Sequence, residues 1–296
     1  MKKASSPVVL LIVLVLLILL AVLVLQKPGE VSKSTAGGEF FVTVDSAQVD
    51  RIVITAKGSV IELEKKGLDW FIQRPIMYRA NNTNVTDLLR QLKNMQVKSI
   101  VSNNPEKQSV FQVDTLSGTG VTFYQQGREA ASFLVGKPAN DYTNTYMRKK
   151  NSNDVAAVSG VLTSLVNREL KEWRDKTILL TPRETITSVR YQYEKESFTI
   201  EKKDTLWMID NNRADDNTIN TLLASLAKIE ADGFLDSLTT QTMKPVAVIS
   251  FAGAEVRFYK PKDGTQFHVQ TSTSPQWFEL QGWRAKQMLK HRKDLI

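Results

Sequence analysis

The stretch Phe198–Asp210 reads FTIEKKDTLWMID, and an earlier stretch, Ile61–Gln73, reads IELEKKGLDWFIQ. Both begin with alternating apolar residues, continue through Glu-Lys-Lys and a short polar turn, and end on a tryptophan followed by two apolar residues. The alternation has the period of two expected for a strand with one buried face. The tryptophan segment is placed to return as the second strand of a hairpin. The two stretches therefore predict one β-hairpin that occurs twice, about 137 residues apart.

The correspondence extends well beyond the hairpins. Upstream, Ile52-Val53-Ile54 aligns with Val189-Arg190-Tyr191. Downstream, after a three-residue deletion, the aligned apolar positions are Val85, Leu88, Leu89, Leu92 and Met95 in one copy and Ile219, Leu222, Leu223, Leu226 and Ile229 in the other, and Ile100 then falls on Phe234. Such spacing predicts one amphipathic helix in each copy, and the polar residues before each helix predict N-caps. Two tandem copies of one unit explain the whole pattern.

Each copy is predicted to be an α+β lobe, in which helices pack on an antiparallel sheet. The further predicted strands are Val121–Tyr124, Ser132–Val135 and Thr145–Arg148 in copy one, and Ala247–Phe251, Glu255–Tyr259 and Phe267–Gln270 in copy two. A second helix is expected to close each copy, with apolar residues from Val158 to Trp173 in the first and from about Gly282 to Lys290 in the second. The predicted organisation is an N-terminal stub and anchor at 1–27, a tether at 28–44, a first lobe at 45–181 and a second lobe at 182–296.

The N-terminal segment predicts a membrane anchor. Residues Pro7–Leu25 contain no polar side chain, and nineteen helical residues span about 28 Å, close to the thickness of a bilayer's hydrocarbon core. A cleavable signal peptide is the alternative, but no small-x-small cleavage site follows the run. Lys2 and Lys3 are expected to remain in the cytoplasm. These features predict a single-pass protein of the bacterial inner (cytoplasmic) membrane whose bulk is periplasmic or extracytoplasmic.

Composition and motifs point away from several classes of chemistry. The 296 residues contain no cysteine, which excludes thiol nucleophiles, disulfides and thiolate zinc sites. The net charge of +8 is not gathered into a basic run with interleaved aromatic residues, so no nucleic acid partner is predicted. His268 and His291 have no metal-ligand spacing, and the pair Asp215-Asp216 is better placed for helix capping than for catalysis. We expect no catalytic residue, metal or cofactor, and no enzyme, although a hydrolase that uses carboxylates alone stays open.

A few side chains are candidates for binding. Tyr142 and Tyr146 lie in a loop-and-strand segment rich in Asp, Asn, Thr and Tyr, a composition typical of binding loops, and Trp277 precedes the last helix. Trp70 and Trp207 occupy equivalent positions in the two copies, where they could form aromatic platforms. A core position explains these two better, because a shared core would produce the same equivalence.

The motifs together resemble a known family. They comprise Trp70…Ala80…Leu88-Leu89…Leu92, then Val135-Gly136-Lys137, Tyr146-Met147-Arg148, Arg174-Asp175-Lys176 and a second Trp…Ala-Asp…Leu-Leu unit. This pattern is similar to the bacterial domain-of-unknown-function family numbered 4340, most clearly over residues 45 to 240. The resemblance implies association with ABC transporter permease and ATPase subunits of the gliding-motility type, and it makes Arg174 a further candidate for a contact. The second copy departs from the motif, since it ends in Arg292-Lys293-Asp294.

Two functions follow as expectations. The first is a non-catalytic accessory or binding subunit of an ABC-type transport system in the bacterial envelope, with an envelope ligand whose identity is open. It is motivated by the predicted anchor, by two similar lobes and by the resemblance. The second is an envelope scaffold or assembly protein that acts through protein–protein contacts alone.

Overall fold

The computed structural model describes residues 14–17, 38–39, 41–236, 243–262 and 264–296. The predicted anchor Pro7–Leu25 therefore lies outside the described residues except for Leu14–Leu17, which are helical, and much of the tether lies outside them as well. Within the described part of the chain, no helix has both the length and the hydropathy needed to cross a bilayer.

The chain divides into two compact units, the first ending at Trp173 and the second running Arg174–Ile296. We refer to them as the first and the second lobe. The sequence pattern placed residues 174–181 with the first lobe. This segment contains β10 (Thr177–Leu180), which pairs antiparallel with β15 (Lys228–Glu230) and so belongs to the second lobe.

The first lobe is built on a nine-stranded antiparallel sheet. Its strand order is β4-β3-β2-β1-β6-β7-β8-β9-β5. The strands are β1 (Val49–Ala56), β2 (Ser59–Lys66), β3 (Asp69–Arg74), β4 (Tyr78–Arg79), β5 (Val97–Ser102), β6 (Thr119–Gln125), β7 (Arg128–Pro138), β8 (Asn144–Lys149) and β9 (Val155–Ser159). One face of this sheet carries helix α1 (Asn82–Lys93) and the short helices α2 (Leu162–Val166) and α3 (Leu170–Trp173).

The second lobe contains a second nine-stranded antiparallel sheet. Its order is β14-β13-β12-β11-β17-β18-β19-β20-β16. The strands are β11 (Ser188–Tyr193), β12 (Ser197–Lys203), β13 (Leu206–Ile209), β14 (Asn212–Arg213), β16 (Gly233–Phe234), β17 (Ala247–Phe251), β18 (Ala254–Tyr259), β19 (Gln266–Thr271) and β20 (Ser274–Gln281). Helices α4 (Asp216–Ala227) and α5 (Gly282–Met288) pack on one face.

The two sheets follow one order, strand for strand, as the sequence repeat predicts. The repeated hairpin is β2–β3 in the first lobe and β12–β13 in the second. Trp70 and Trp207 lie at equivalent positions of these hairpins and are buried in their own lobe's core, which confirms the packing role over the aromatic platform. The prediction of two α+β lobes, each an antiparallel sheet packed with helices, is confirmed.

Helix α1 begins where the sequence predicts. The side chain of Asn81 accepts a hydrogen bond from the backbone N–H of Asn84 at 3.1 Å, and Asp215 accepts one from Thr218 at 2.8 Å before α4. Each contact satisfies a backbone donor that the first turn of a helix leaves without a partner. Capping, the role favoured for Asp215, is therefore confirmed.

The prediction of a closing helix in the first lobe is wrong for the first half of that segment. Val158 lies in β9, where it pairs with Thr145 of β8, and the helix is divided into α2 and α3. Gly160 explains the late start, because its φ of +102° is a conformation that side-chain-bearing residues rarely adopt and that ends the strand. In the second lobe α5 spans Gly282–Met288, close to the predicted range.

Candidate functional site

A cleft of about 570 Å³ opens in the first lobe. Three segments form it: the β1–β2 hairpin, the loop at 112–119 and the chain between α2 and α3. Its apolar lining consists of Ile54, Ala56, Ile61, Leu116, Val166 and Leu170. Ile54 and Ile61 face each other directly across the hairpin and are both buried, so they form the floor.

The charged residues of the lining are Lys57, which is exposed, and Arg168 and Glu169, which contact other groups of the first lobe. The Arg168 guanidinium donates to the backbone oxygen of Asn84 at 3.2 Å and lies 5.5 Å from the Trp173 ring centroid. The carboxylate of Glu169 pairs with Lys171 at 2.8 Å, and this hydrogen bond and charge hold the pKa of Glu169 below its ordinary value. The rest of the lining combines these aliphatic side chains with neutral polar ones, namely Ser59, Gln112, Ser117, Thr119 and Asn167. Such a lining suits a small ligand that has both an apolar surface and a hydrogen-bonding group.

The second lobe fills the corresponding space with its own aromatic side chains. Tyr191 and Tyr193 of β11 stack in parallel, with ring centroids 6.0 Å apart, and Tyr191 stacks on Phe198 at 4.9 Å. The Tyr191 hydroxyl donates to the backbone oxygen of Met288 at 2.8 Å, and the Tyr193 hydroxyl donates to that of Lys290 at 2.7 Å. Burial raises the pKa of both phenols, and for Tyr193 the carboxylates of Glu196 and Asp294 add to the rise.

The C-terminal segment completes this filling. The His291 ring stacks on Tyr193 at 4.6 Å, and its Nδ1–H donates to a carboxylate oxygen of Glu196 at 2.8 Å. This hydrogen bond is the main cause that lowers the pKa of Glu196. The guanidinium of Arg292 lies 5.6 Å from the Phe198 ring. The second lobe therefore has a closed aromatic stack where the first lobe has a cleft.

Two backbone hydrogen bonds establish which residues correspond. The N–H of Asn81 donates to the oxygen of Trp173 at 2.7 Å, and the N–H of Asp215, the equivalent helix cap, donates to the oxygen of Leu295 at 2.8 Å. Trp173 and Leu295 are thus counterparts. Counting back along both chains pairs Val166 with Met288, Arg168 with Lys290 and Glu169 with His291. On the sheet side, the repeat pairs Ile54 with Tyr191, Ala56 with Tyr193, Ser59 with Glu196 and Ile61 with Phe198.

None of the four predicted binding residues lines this cleft. Tyr142 is 79% exposed in the turn between β7 and β8, with a φ of +57°. The neighbouring Asp141 accepts backbone hydrogen bonds from Thr143 and Asn144, which shapes the turn. Tyr146 is buried in β8 with its ring edge against Phe111 at 4.8 Å, so it contributes to packing.

Arg174 lies in the second lobe and is only 1% exposed. Its guanidinium donates to both carboxylate oxygens of Asp236 at 2.8 Å and to Gln276 at 3.0 Å, and it lies 3.7 Å from the Phe234 ring centroid. A buried guanidinium whose two terminal nitrogens bind a carboxylate and an amide while its face lies on an aromatic ring fixes the geometry around it. Arg174 joins the start of the second lobe to the β16–β20 edge of its sheet.

Trp277 follows Gln276 on β20 but lies on the opposite face of the sheet, where its ring is 4.8 Å from that of Tyr259. On the same face, Tyr259, His268 and Glu279 are paired in register across β18, β19 and β20. The first lobe has Tyr146 and Ala157 where the second has His268 and Glu279. Trp277 therefore belongs to a polar and aromatic row specific to the second lobe.

No cluster of three or more His, Asp or Glu side chains that could hold a metal occurs in the described ranges. The cleft was not predicted from the sequence, although the sequence contains one indication of it. The aligned segments Ile54-Thr55-Ala56 and Tyr191-Gln192-Tyr193 put small or aliphatic residues in one copy against two aromatic residues in the other. A difference in side-chain volume at two positions of one strand face is what an open and a filled version of one space require.

Comparison with known proteins adds one finding. Residues 70–250 match the model of a family described as Domain of unknown function (DUF4340). No curated protein and no solved structure matches the chain significantly.

Proposed function

This chain belongs to the DUF4340 family, a family of unknown function. We propose that it is a non-catalytic accessory or binding subunit of an ABC-type transport system in the bacterial envelope. In this proposal the N-terminal segment anchors the protein in the inner membrane and the two lobes lie on the extracytoplasmic side. The 296 residues contain no phosphate-binding loop of the P-loop type, and the proposal therefore includes a permease and an ATPase as partners.

The observation that carries the binding role is the contrast between the two lobes. One framework occurs twice, and the second lobe closes its cleft with Tyr191, Tyr193 and His291. The first lobe has an open cleft of about 570 Å³ at the same position, within the range of about 300–1,000 Å³ that is usual for small-molecule sites. This particular space is therefore open to a ligand in the first lobe and closed in the second, whose own cleft of about 570 Å³ lies elsewhere, beside Trp207.

The transport partner and the location have other support. Pro7–Leu25 is long and apolar enough to span a bilayer, and Lys2 and Lys3 on one side favour a cytoplasmic N-terminus. The family resemblance favours a permease and an ATPase of the gliding-motility type as partners. An extracytoplasmic position would put the cleft where ligands outside the cytoplasm can reach it.

The proposal is tested by purifying the tagged full-length protein in a mild detergent and identifying the proteins that remain bound. A matched variant carries an unrelated apolar helix of the same length in place of Pro7–Leu25, with Lys2 and Lys3 kept. We expect the native form to recover both a permease and an ATPase, and the variant to lose them if the anchor makes the contact. Recovery of neither by the native form would refute the transport role. Stoichiometric recovery of envelope proteins other than transport subunits would instead favour the scaffold.

A further inference from the structure

The second lobe shows what this framework accommodates. Two phenol rings occupy its equivalent of the cleft. Their hydroxyls donate to the backbone oxygens of Met288, the last residue of α5, and of Lys290, which follows the helix. A buried hydroxyl requires such an acceptor, because leaving it without one costs about 1–3 kcal/mol. The backbone of this segment thus supplies acceptors that are spaced for aromatic rings standing on β11.

The first lobe has the same frame without the rings. Ile54 and Ala56 stand where Tyr191 and Tyr193 stand in the second lobe, and they are too short to reach across. Val166 and Arg168, the counterparts of the residues whose oxygens accept the tyrosine hydroxyls, both line the cleft. The residues equivalent to the floor and to the acceptor side therefore line the cleft, and the planar group between them is not supplied by this lobe.

We propose that the cleft of the first lobe binds a small molecule through a planar phenolic ring. The ring lies against Ile54, Ile61 and Leu116, and its hydroxyl donates to the backbone oxygen of Val166 or Arg168. This inference rests on the proposed binding role of the first lobe and names the chemical class of its ligand. The inference does not depend on the proposed transport partner, because ligand binding requires only this lobe.

The shape and charge of the cleft favour this class over others. Walls on three sides, from the hairpin, the loop at 112–119 and the segment at 166–170, suit a compact ligand better than an extended peptide. Arg168 and Glu169 already have partners within the lobe, so a charged ligand that paired with either would have to break those contacts, and the third charged lining residue, Lys57, is exposed. An apolar ring with one donor matches the aliphatic side chains of Ile54 and Ile61 and a polar acceptor beside them.

The test uses the full-length protein in detergent, labelled at isoleucine methyl groups and titrated with p-cresol, the side chain of tyrosine. Methyl signals are observed by nuclear magnetic resonance, and the free probe concentration is measured in the dialysate so that uptake into micelles is accounted for. We expect saturable shifts of the Ile54 and Ile61 signals, with a dissociation constant on the order of 1 mM for so small a fragment. Toluene, which lacks the hydroxyl, should bind at least about fivefold more weakly.

Variants locate the site. Ala56→Tyr gives the first lobe a residue of the second and should abolish the shifts, whereas Thr55→Tyr adds the same ring to the opposite, exposed face of β1 and should leave them unchanged. Ala56→Leu, a smaller plug, serves if Ala56→Tyr does not fold. The proposal is overturned if p-cresol gives no saturable shift at Ile54 and Ile61, if toluene binds equally well, or if a folded plugged variant still binds. Binding of p-cresol without recovery of transport subunits would refute only the transport partner.

Discussion

Replacing Tyr191 by phenylalanine should loosen the second lobe and leave the first unaffected. Tyr191 is completely buried, and its hydroxyl donates to the backbone oxygen of Met288 at 2.8 Å. The substitution removes the donor while the ring stays stacked on Phe198 and Tyr193. The backbone oxygen of Met288, a buried residue, then loses this donor.

The expected cost follows from this geometry. A hydrogen bond contributes about 1 kcal/mol net, and a buried acceptor left without its donor costs about 1–3 kcal/mol, so we expect about 2 kcal/mol for Tyr191→Phe. Tyr193→Phe is the matched control, because its hydroxyl makes the same kind of bond, to Lys290, at a half-buried position where water can substitute. We expect about 0.5 kcal/mol for the control.

Hydrogen exchange of the full-length protein, measured by mass spectrometry of peptides, assigns the effect to a lobe. A loss of about 2 kcal/mol corresponds to roughly 30-fold faster exchange for the most protected amides of β11, β12 and α5. Peptides of the first lobe should exchange at the rate of the unmodified protein. The control should accelerate exchange only about two- to threefold.

Two results would refute this reasoning. Unchanged exchange in β11 and α5 of Tyr191→Phe would mean that the hydroxyl contact does not hold the C-terminal segment on the sheet. An effect of Tyr193→Phe as large as that of Tyr191→Phe would mean that burial does not determine how much stability is lost with the hydroxyl.

Three further changes have defined outcomes. Gly136→Ala should destabilise the first lobe by about 2 kcal/mol in urea unfolding, because the added methyl would overlap the backbone oxygen of Phe111; a cost below about 0.5 kcal/mol would contradict the close contact. Asn81→Ala should cost about 1 kcal/mol in the same measurement through loss of the α1 cap, while Asn81→Asp should retain most of that stability. The hydrogen bond from His291 lowers the pKa of Glu196 in the folded protein. This hydrogen bond therefore contributes to the free energy of unfolding at pH values above the ordinary pKa of 4.5, and the contribution is lost as the pH falls through the lower pKa of the folded state. Acid unfolding followed by circular dichroism should show this loss, and Glu196→Gln should be less sensitive to acid over that range; equal sensitivity would exclude the linkage.

Much of the fold could be predicted because its signals are local. The alternation in IELEKK and FTIEKK determines which side chains of β2 and β12 face the core, and the stripe from Val85 to Leu92 determines the buried face of α1. The caps at Asn81 and Asp215 act within three residues, so their spacing alone is sufficient. The repeat strengthens each of these predictions, since one pattern appears in two sequences.

The closing helix of the first lobe shows where local signals failed. Val158 fits an apolar stripe with Leu162 and Leu165, yet it lies in β9 between β8 and β5. Pairing with both neighbours satisfies its backbone groups, and the positive φ of Gly160 separates the strand from the helix. Tertiary pairing overrode the periodicity, which cannot distinguish a short buried strand from the first turn of a helix.

The sequence alone determined that the chain contains two similar α+β lobes after an apolar N-terminal run, because periodicity, capping and repetition are all written in neighbouring residues. Only the tertiary structure decided that Arg174 is buried against Asp236, 62 residues away, and that Ile54 and Val166, more than a hundred residues apart, line one cleft. The space exists because two short side chains on β1 face a segment that the cap of α1 holds in place. A cleft forms where facing side chains are too short to touch, and which side chains face each other is decided only when the chain folds.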